Sequence, residues 1–158
     1  MKKTDKYNED FPFRFLKNED NSGFLLWQVA YIWQQEQRRA LLKYHNISHM
    51  DYVILASTYW LMLNEHKITP TTLSLHTKIE PVGVAQLLKS LEERELIERY
   101  SKENDKKSRF VKVSETGFKV LQKAIVTIET IDDRFFKIIG KKISVLNGFL
   151  LDLINSNK

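Results

Sequence analysis

The stretch LLKSLEERELIERYSKENDKKSRFVKVSETG, residues 87–117, changes its hydrophobic period twice. It begins with Leu87, Leu88 and Leu91, which fall on one face of a helix because they are spaced by one, three and four residues. Two short runs rich in β-forming residues follow, LIERYSK and RFVKVS, and the polar segment ENDKKS joins them. Ser114 then supplies the predicted cap of a new helix. The stretch therefore predicts a helix, a β-hairpin and a second helix in that order.

Two short helices are predicted before the hairpin. Thr69 is the predicted N-cap of the first, and Pro70 lies in its first turn, where the missing N–H costs nothing. Pro81 is placed in the same way at the start of the second helix, and its apolar stripe includes Val84. Only a few residues separate the two helices, as in a helix-turn-helix. With the hairpin behind them, they predict a winged helix-turn-helix.

Longer helices flank this unit on both sides. A first helix is predicted from Ser22 to about residue 44, and Ser48-x-x-Asp51 predicts a capping box for a second that ends near Asn64. Downstream, a long helix from residue 115 is predicted to end near Gly140, and a last helix continues to about residue 154. The fold class is therefore mainly α, with a small β-hairpin.

The first helix is apolar almost all round in its first half, which in a small domain indicates a subunit interface. Its aromatic residues could instead line a ligand cavity, but their helical spacing favours packing. We therefore expect the terminal helices to form a homodimer, since a monomer cannot cover such faces. The candidate dimer contacts are Phe24, Trp27, Tyr31, Ile139, Leu146 and Leu150.

Composition restricts the function further. The chain has 158 residues, 42% of them hydrophobic and 28% charged, as in a globular protein of one domain with helical extensions. It has no cysteine, which excludes disulfides, zinc ribbons, iron–sulfur clusters and thiol nucleophiles. No apolar stretch is long enough to span a membrane, so we expect no membrane partner and a cytoplasmic location.

No enzyme is predicted, because no catalytic set or phosphate-binding glycine loop is present. The four histidines are scattered, and Asn46-Ile47-Ser48 predicts a helix break between His45 and His49, which argues against a metal site. Asp132 and Asp133 are adjacent and point to different helix faces, so they do not predict a catalytic carboxylate pair. We predict neither a cofactor nor a metal.

The charge distribution favours a polyanionic partner. The formal net charge is +5, and residues 99–112 carry six basic side chains against two acidic ones, a local charge of +4. A basic hairpin is often no more than a solvated surface, but directly after a helix-turn-helix it favours contact with phosphates. In a winged helix-turn-helix the second short helix enters the major groove of DNA, and the hairpin lies along the backbone or in the minor groove.

The candidate DNA contacts follow from this geometry. Gln86, Lys89 and Ser90 lie off the apolar stripe and are expected to face base edges or nearby phosphates, although they could be only the hydrated face of a helix. Thr71 and Lys78 are expected to hold the DNA backbone. The full set is Thr71, Lys78, Pro81, Val82, Gly83, Gln86, Lys89, Ser90, Arg99, Lys102, Lys106, Lys107 and Arg109.

The start of the second short helix, EPVG, carries few polar side chains. Pro81 pre-sets the first turn, and the free N–H groups of a helix N-terminus can meet a phosphate without a side chain. Gly83 and Ala85 would let the backbone approach DNA closely, and Val82 could meet a thymine methyl group. This edge predicts recognition by shape and backbone contact more than by hydrogen bonds to bases.

Residues 87–117 also resemble the core of the MarR (multiple antibiotic resistance regulator) family of transcription factors. That core reads roughly Leu-Glu-x-x-Gly-Leu-Ile-x-Arg, then Asp-x-Arg-Asp-Arg-Arg, then Leu-Thr-x-x-Gly. The residues at matching positions are Leu91, Glu92, Leu96, Ile97 and Arg99 in the first block, Asp105, Lys106 and Lys107 in the wing, and Val113, Ser114 and Gly117 in the last block. The resemblance extends over about residues 22–150.

Three departures from the family pattern stand out. Glu95 occupies the position of the turn glycine, so the helix is expected to end without a residue that tolerates the left-handed conformation. Lys106 and Lys107 replace wing arginines, which keeps the charge but loses the bidentate fork. Gly83 and Ala85 replace polar residues, which reduces the expected base readout.

The resemblance implies an effector-responsive repressor that acts as a homodimer on a pseudo-palindromic operator. A small molecule bound between the dimer and the DNA-binding lobes would change the spacing of the lobes. The alternative is a winged-helix module for protein interaction or scaffolding that has lost DNA reading. The predicted organisation is an N-terminal arm (1–21), a dimerisation helix (22–47), the winged helix-turn-helix (48–113) and C-terminal dimerisation helices (114–158).

Overall fold

The computed structural model describes residues 17–64, 67–102 and 105–157, without the side chains of residues 102 and 105–108. Within these residues the architecture is mainly α with one small hairpin, which confirms the predicted fold class. The helices are α1 (Ser22–His45), α2 (His49–Asn64), α3 (Pro70–Thr77), α4 (Pro81–Glu93), α5 (Glu115–Phe136) and α6 (Ile143–Ser156), and the strands are β1 (Ile97–Lys102) and β2 (Asp105–Val113). Short 3-10 segments occupy Asn18–Asp20 and Lys137–Lys142.

The predicted starts of α2 and α3 are confirmed, and local side-chain caps fix both. The backbone N–H of Ser48 donates to Asp51 Oδ2 at 2.8 Å, and the N–H of Asp51 donates to Ser48 Oγ at 3.0 Å. This is the reciprocal pattern of a capping box. At the start of α3, the N–H of Thr72 donates to Thr69 Oγ1 at 3.1 Å, with Pro70 in the first turn.

The hairpin is longer on one side than the sequence pattern predicts. β1 and β2 are antiparallel, Ile97 pairs with Val113 and Tyr100 with Phe110, and a register shift follows Tyr100. Residues 105–108, predicted as part of the loop, belong to β2. The prediction was wrong there because the hydrogen bonds of a two-stranded ladder join backbone groups, so polar residues can continue it.

The junction of α4 and β1 contains a left-handed residue that is not a glycine. Glu95 adopts the left-handed conformation, with φ of 57°, so the position keeps the backbone shape of a glycine without being one. The N–H of Leu96 donates to the Leu91 carbonyl at 2.9 Å, which closes the helix in the manner of a Schellman motif. α4 thus ends without the tolerant glycine, as expected, and Glu95 itself takes the left-handed conformation.

The end of the long C-terminal helix lies close to where the sequence places it. Ser114 caps α5, since its Oγ accepts from the N–H of Gly117 at 2.9 Å. α5 ends at Phe136, and Gly140 breaks the helical path with φ of 54° before α6 begins. α6 contains no buried residue.

The chain divides into two compact units, Met1–Gln35 and Glu36–Lys158. The first contains the beginning of α1 among its described residues, and no residue of this part of α1 is buried. The second holds a core to which α2–α5 and the hairpin contribute, with fully buried side chains including Ile54, Leu73 and Leu88. The predicted four-part organisation cuts the chain elsewhere and stays a prediction.

Candidate nucleic-acid interface

The helix α4 has one buried face and one exposed face, as its stripe predicts. Val84, Leu88 and Leu91 are fully buried in the core, which fixes the rotation of the helix about its axis. The opposite face is free of intramolecular cover in the described part of the chain. Its exposed residues are Pro81, Val82, Ala85, Gln86, Lys89 and Ser90, and the exposed carboxylates of Glu92 and Glu93 follow in the last turn. Five of these are predicted DNA contacts, and the structure brings them together on one surface.

The first turn of α4 is not capped by a side chain. Glu80 is the N-cap residue, and its side chain makes no capping hydrogen bond among the described residues. The N–H groups of Val82 and Gly83 therefore face outward at the positive end of the helix dipole. Gly83 is half-buried, and a Cβ there would lie 3.1 Å from Ile79 Cγ2, so its small size serves the turn between α3 and α4.

Three predicted DNA contacts on or near this face, Thr71, Lys78 and Lys89, are exposed to solvent. Lys78 is exposed in the left-handed turn after α3, with φ of 61°, and Thr71 is exposed in the first turn of α3. Lys89 Nζ lies 3.9 Å from Glu93 Oε1 with both side chains largely exposed, which is a weak ion pair. All three predicted contacts are therefore available at the surface.

The hairpin carries less free charge than the sequence count suggests. Arg99 Nε lies 2.9 Å from Glu92 Oε2 at ion-pair distance, although its N–H is not directed for a hydrogen bond, and its side chain is only 21% exposed. Lys112 Nζ lies 2.7 Å from Glu98 Oε2. Both acidic partners precede residues 99–112 in the sequence and were not counted there, so two of the six cations are already compensated.

The remaining hairpin cations are Arg109 and three lysines. Arg109 is exposed, and no acidic side chain in the described part of the chain lies at ion-pair distance from it. The backbones of Lys102, Lys106 and Lys107 belong to β1 and β2, but their side chains lie outside the described ones. Free positive charge on the hairpin therefore depends on Arg109 and these lysines rather than on Arg99.

Arg94, which no sequence pattern singles out, anchors the C-terminal end of α4. Arg94 Nη1 donates to Asp51 Oδ2 at 2.9 Å, and its Nη2 donates to the Asn46 carbonyl at 2.7 Å. The Asp51 side chain is 8% exposed, and it also accepts the Ser48 N–H of the capping box. Arg94 thus joins the end of α4 to the junction of α1 and α2. The separation of 43 residues leaves no local signal for this contact.

A buried polar chain lies beside the same junction. His49 Nε2 and Gln37 Oε1 are 2.8 Å apart, and Gln37 Nε2 donates to Asp132 Oδ1 at 2.8 Å. Since the amide nitrogen of Gln37 faces the carboxylate, its oxygen accepts from the His49 N–H. Three helices, α1, α2 and α5, are joined in this way, and Gln37 is 1% exposed.

Burial shifts the pKa of His49 in this hydrogen-bonded network and the pKa of Tyr52, which interacts with Asp132. Burial, reinforced by nearby Arg38, lowers the pKa of His49 below its usual 6.5, and Asp132 opposes that shift. Burial raises the pKa of Tyr52 to about 12, and the carboxylates of Asp132 and Glu129 add to the rise. His49 is therefore neutral in the folded protein at neutral pH.

The described residues hold no arrangement that suggests a metal site. Among the described residues no group of three or more His, Asp or Glu side chains could hold an ion. His45 Nε2 instead lies 2.8 Å from Thr127 Oγ1, and the helix break after His45 is confirmed. Nor is any helix of the described chain long and apolar enough to cross a membrane.

A concavity of about 680 Å³ lies between α1 and α5. Arg39, Lys43 and Arg134 contribute cations to its walls, and Glu36 forms an ion pair with Arg134. Val126 supplies exposed apolar surface in the same walls. The concavity therefore combines net positive charge with apolar surface.

The predicted dimer contacts are exposed or half-buried in the single chain. Trp27 is 59% exposed and Tyr31 49%, and Trp27 stacks between Phe24 and Tyr31 with ring centroids 6.0 and 5.4 Å apart. Ile139, Leu146 and Leu150 are half-buried. Beside them, Val145, Phe149 and Leu153 of α6 are each more than half exposed. These helices thus expose apolar area of the kind that subunit interfaces cover.

Comparison with known proteins finds similarity to a transcriptional regulator. The chain is 27% identical over 135 residues to YdcH of Bacillus subtilis (strain 168), an uncharacterized HTH-type transcriptional regulator, and the match covers 85% of this chain and 91% of YdcH. No family model matches the sequence.

Solved structures agree on the fold. The DNA complex of MepR from S. aureus superimposes with a TM-score of 0.78 at 15% identity, covering 90% of this chain and 100% of MepR. CouR from Rhodococcus jostii, bound to p-coumaroyl-CoA, gives 0.73 at 21% identity, covering 88% and 93%. Other similar structures are MarR-family regulators. The chain thus has the fold of MarR-family transcriptional regulators, which confirms the resemblance read from the sequence at the level of the fold.

Proposed function

We propose that this chain is a sequence-specific DNA-binding transcriptional regulator of the MarR type. The observation that carries the proposal is the exposed face of α4, where Gln86, Lys89 and Ser90 stand beside an uncapped helix N-terminus. The buried stripe on the other side of the helix holds that face outward. A rigid rod with an exposed polar edge and cations on either side is what the major groove requires.

Backbone contacts would come from both sides of α4. Thr71 and Lys78 lie at the surface on the α3 side, and exposed Arg109 lies on the hairpin side. The lysines of the hairpin add charge where the wing would meet phosphates or the minor groove. Arg99 contributes less than expected from sequence, because it is already beside Glu92.

The active form would be a homodimer. The exposed apolar surfaces of α1 and α6 support this, since two copies would cover what one copy leaves open to water. Two winged-helix lobes related by a two-fold axis would then contact successive major grooves of a pseudo-palindromic operator, about one turn apart. Binding over a promoter would make the protein a repressor.

A small molecule would control that binding. CouR, which shares the fold, was solved with p-coumaroyl-CoA. The concavity between α1 and α5 is the candidate effector site here, and Arg39 and Lys43 in its walls favour an anionic ligand with an apolar body. Occupying it would change the position of α5, which carries the DNA-binding lobe.

The test is a DNA titration across a series of salt concentrations, with the chain's own upstream intergenic DNA and with random duplex. Lys106→Ala together with Lys107→Ala should weaken binding to both duplexes alike and reduce the salt slope by about 0.9 for each phosphate that is no longer neutralised. The adjacent pair Lys141→Ala and Lys142→Ala, on the segment before α6, is the matched control and should leave the slope unchanged. An unchanged slope in the hairpin variant would contradict the wing contacts.

A separate substitution tests whether Gln86 contacts a base. Gln86→Ala should cost about 1–3 kcal/mol on the selected operator and much less on random duplex. Equal losses on the two duplexes would mean that Gln86 contacts no base.

The alternative is a winged-helix module that binds another protein. The observation in its favour is the exposed apolar surface at the ends of α2 and α3, where Trp60 is 54% exposed and stacks on His76 at 5.2 Å. Leu63 and Leu75 are also largely exposed. The same titration separates the two functions, because a protein-binding module would show no preference for the upstream DNA.

A further inference from the structure

The exposed N-terminal part of α4 lacks hydrogen-bonding side chains. From Pro81 to Ala85 every side chain is apolar or absent, and the first polar side chain is that of Gln86. Val84 turns into the core, but Val82 is 70% exposed. The leading part of the proposed recognition surface is therefore a hydrocarbon surface that includes the exposed Val82 isopropyl.

A single exposed valine is ordinary on a protein surface and by itself carries no meaning. The position of Val82 is what distinguishes it. Gln86 is four residues and Lys89 seven residues further along the helix, so the three side chains share one stripe. Ala85 completes the same face one turn from Val82. A valine there would be inserted into the groove together with the polar contacts.

The chemistry of the major groove then limits what Val82 can meet. Guanine, adenine and cytosine present hydrogen-bond donors and acceptors there, and covering these with hydrocarbon removes water without replacing its hydrogen bonds. Thymine alone presents an apolar group, its C5-methyl. Burying that methyl against an isopropyl group is favourable, whereas the other base edges would oppose the contact.

We propose that Val82 is a specificity-determining residue that contacts the C5-methyl of one thymine in each operator half-site. This inference rests on the proposed function, since it needs α4 in the major groove. Preference for thymine arises from burial of the methyl against Val82 and from the cost of placing Val82 over a polar edge. Gln86 then supplies hydrogen bonding to a neighbouring base.

The test replaces thymine by uracil, which pairs identically and lacks only the methyl. The operator is first selected from random duplex DNA with the full chain, and each thymine is then replaced singly. At one position per half-site, uracil should weaken binding about fourfold, and about fifteenfold when both half-sites are changed, as expected for one buried methyl each. All other thymines should tolerate the replacement.

Val82→Ala identifies the protein side of the contact. This variant should bind the thymine operator several-fold more weakly, and uracil at the sensitive position should then cost less than about twofold, because the two changes remove one interaction. Ile138→Ala, at a β-branched residue that is 91% exposed on the segment before α6, is the matched control and should keep the full fourfold sensitivity.

The outcomes separate this inference from the proposed function. Operator binding that no uracil replacement weakens, or fourfold sensitivity that persists in Val82→Ala, overturns the thymine contact and leaves the DNA-binding function in place. A chain that prefers no duplex sequence at all overturns both.

Discussion

The carbonyl oxygen of Leu96 lies where any side chain at Gly117 would have to begin. A Cβ on Gly117 would overlap that oxygen and come within 2.8 Å of the carbonyl carbon. The same oxygen accepts the N–H of Ser114 at 3.2 Å, so neither group can easily move away. The start of α5 is therefore pressed against the start of β1, and only glycine permits that approach.

Gly117→Ala should lower the free energy of unfolding by roughly 3 kcal/mol, because a methyl group cannot fit without moving backbone. Urea denaturation followed by circular dichroism measures the change. Gly148→Ala is the matched control: nothing lies within 4 Å of its Cβ position in α6. That variant should be neutral or more stable by about 0.5–1 kcal/mol, and similar results for both variants would contradict the close approach.

Glu95→Gly should raise the free energy of unfolding by about 1 kcal/mol. The left-handed conformation of Glu95 strains any residue with a Cβ, and glycine removes that strain. Glu93→Gly, two residues earlier and inside the last turn of α4, should instead lower it by up to about 1 kcal/mol. The prediction fails if both substitutions change stability in the same direction.

Arg94→Met should lower the free energy of unfolding by roughly 1–2 kcal/mol, because it leaves the nearly buried carboxylate of Asp51 without its cation. The partly exposed guanidinium keeps the effect below that of a fully buried pair. Arg109→Met, at an exposed arginine, should change stability by less than about 0.5 kcal/mol. Equal effects would show that the Arg94 contact does not hold α4 in place.

The buried His49 predicts a stability that falls in acid. Its folded pKa lies below the unfolded value of 6.5, so the unfolded chain binds the proton first. Its contribution is complete above about pH 6.5 and is lost as the pH falls through that value toward the folded pKa. Chemical denaturation at about pH 7.5 and about pH 5.5 measures the loss.

His49→Gln should reduce that loss, since glutamine does not titrate and can still donate to Gln37. His45→Gln should reduce it less, because His45 is only half-buried although its pKa is lowered in the same way. A pH dependence that His49→Gln leaves unchanged would refute the assignment.

The sequence by itself determined the order and starts of the elements. Ser48, Thr69 and Ser114 cap their helices in the structure as predicted, because a capping bond joins groups within three residues of each other. The apolar stripe of α4 likewise fixes which side faces outward, since helical periodicity is a local property. Five of the six predicted contacts on α4 are therefore exposed together.

Only the tertiary structure decided which charges remain available and what holds α4 at its C-terminal end. The compensation of Arg99 by Glu92 and the anchoring of Arg94 on Asp51 depend on distances across the fold. The left-handed conformation of Glu95 also depends on the fold. Packing of β1 against the start of α5 imposes a positive φ that a glutamate disfavours by itself. Such contacts leave no periodic or short-range signal, since the residues meet only after the chain has folded.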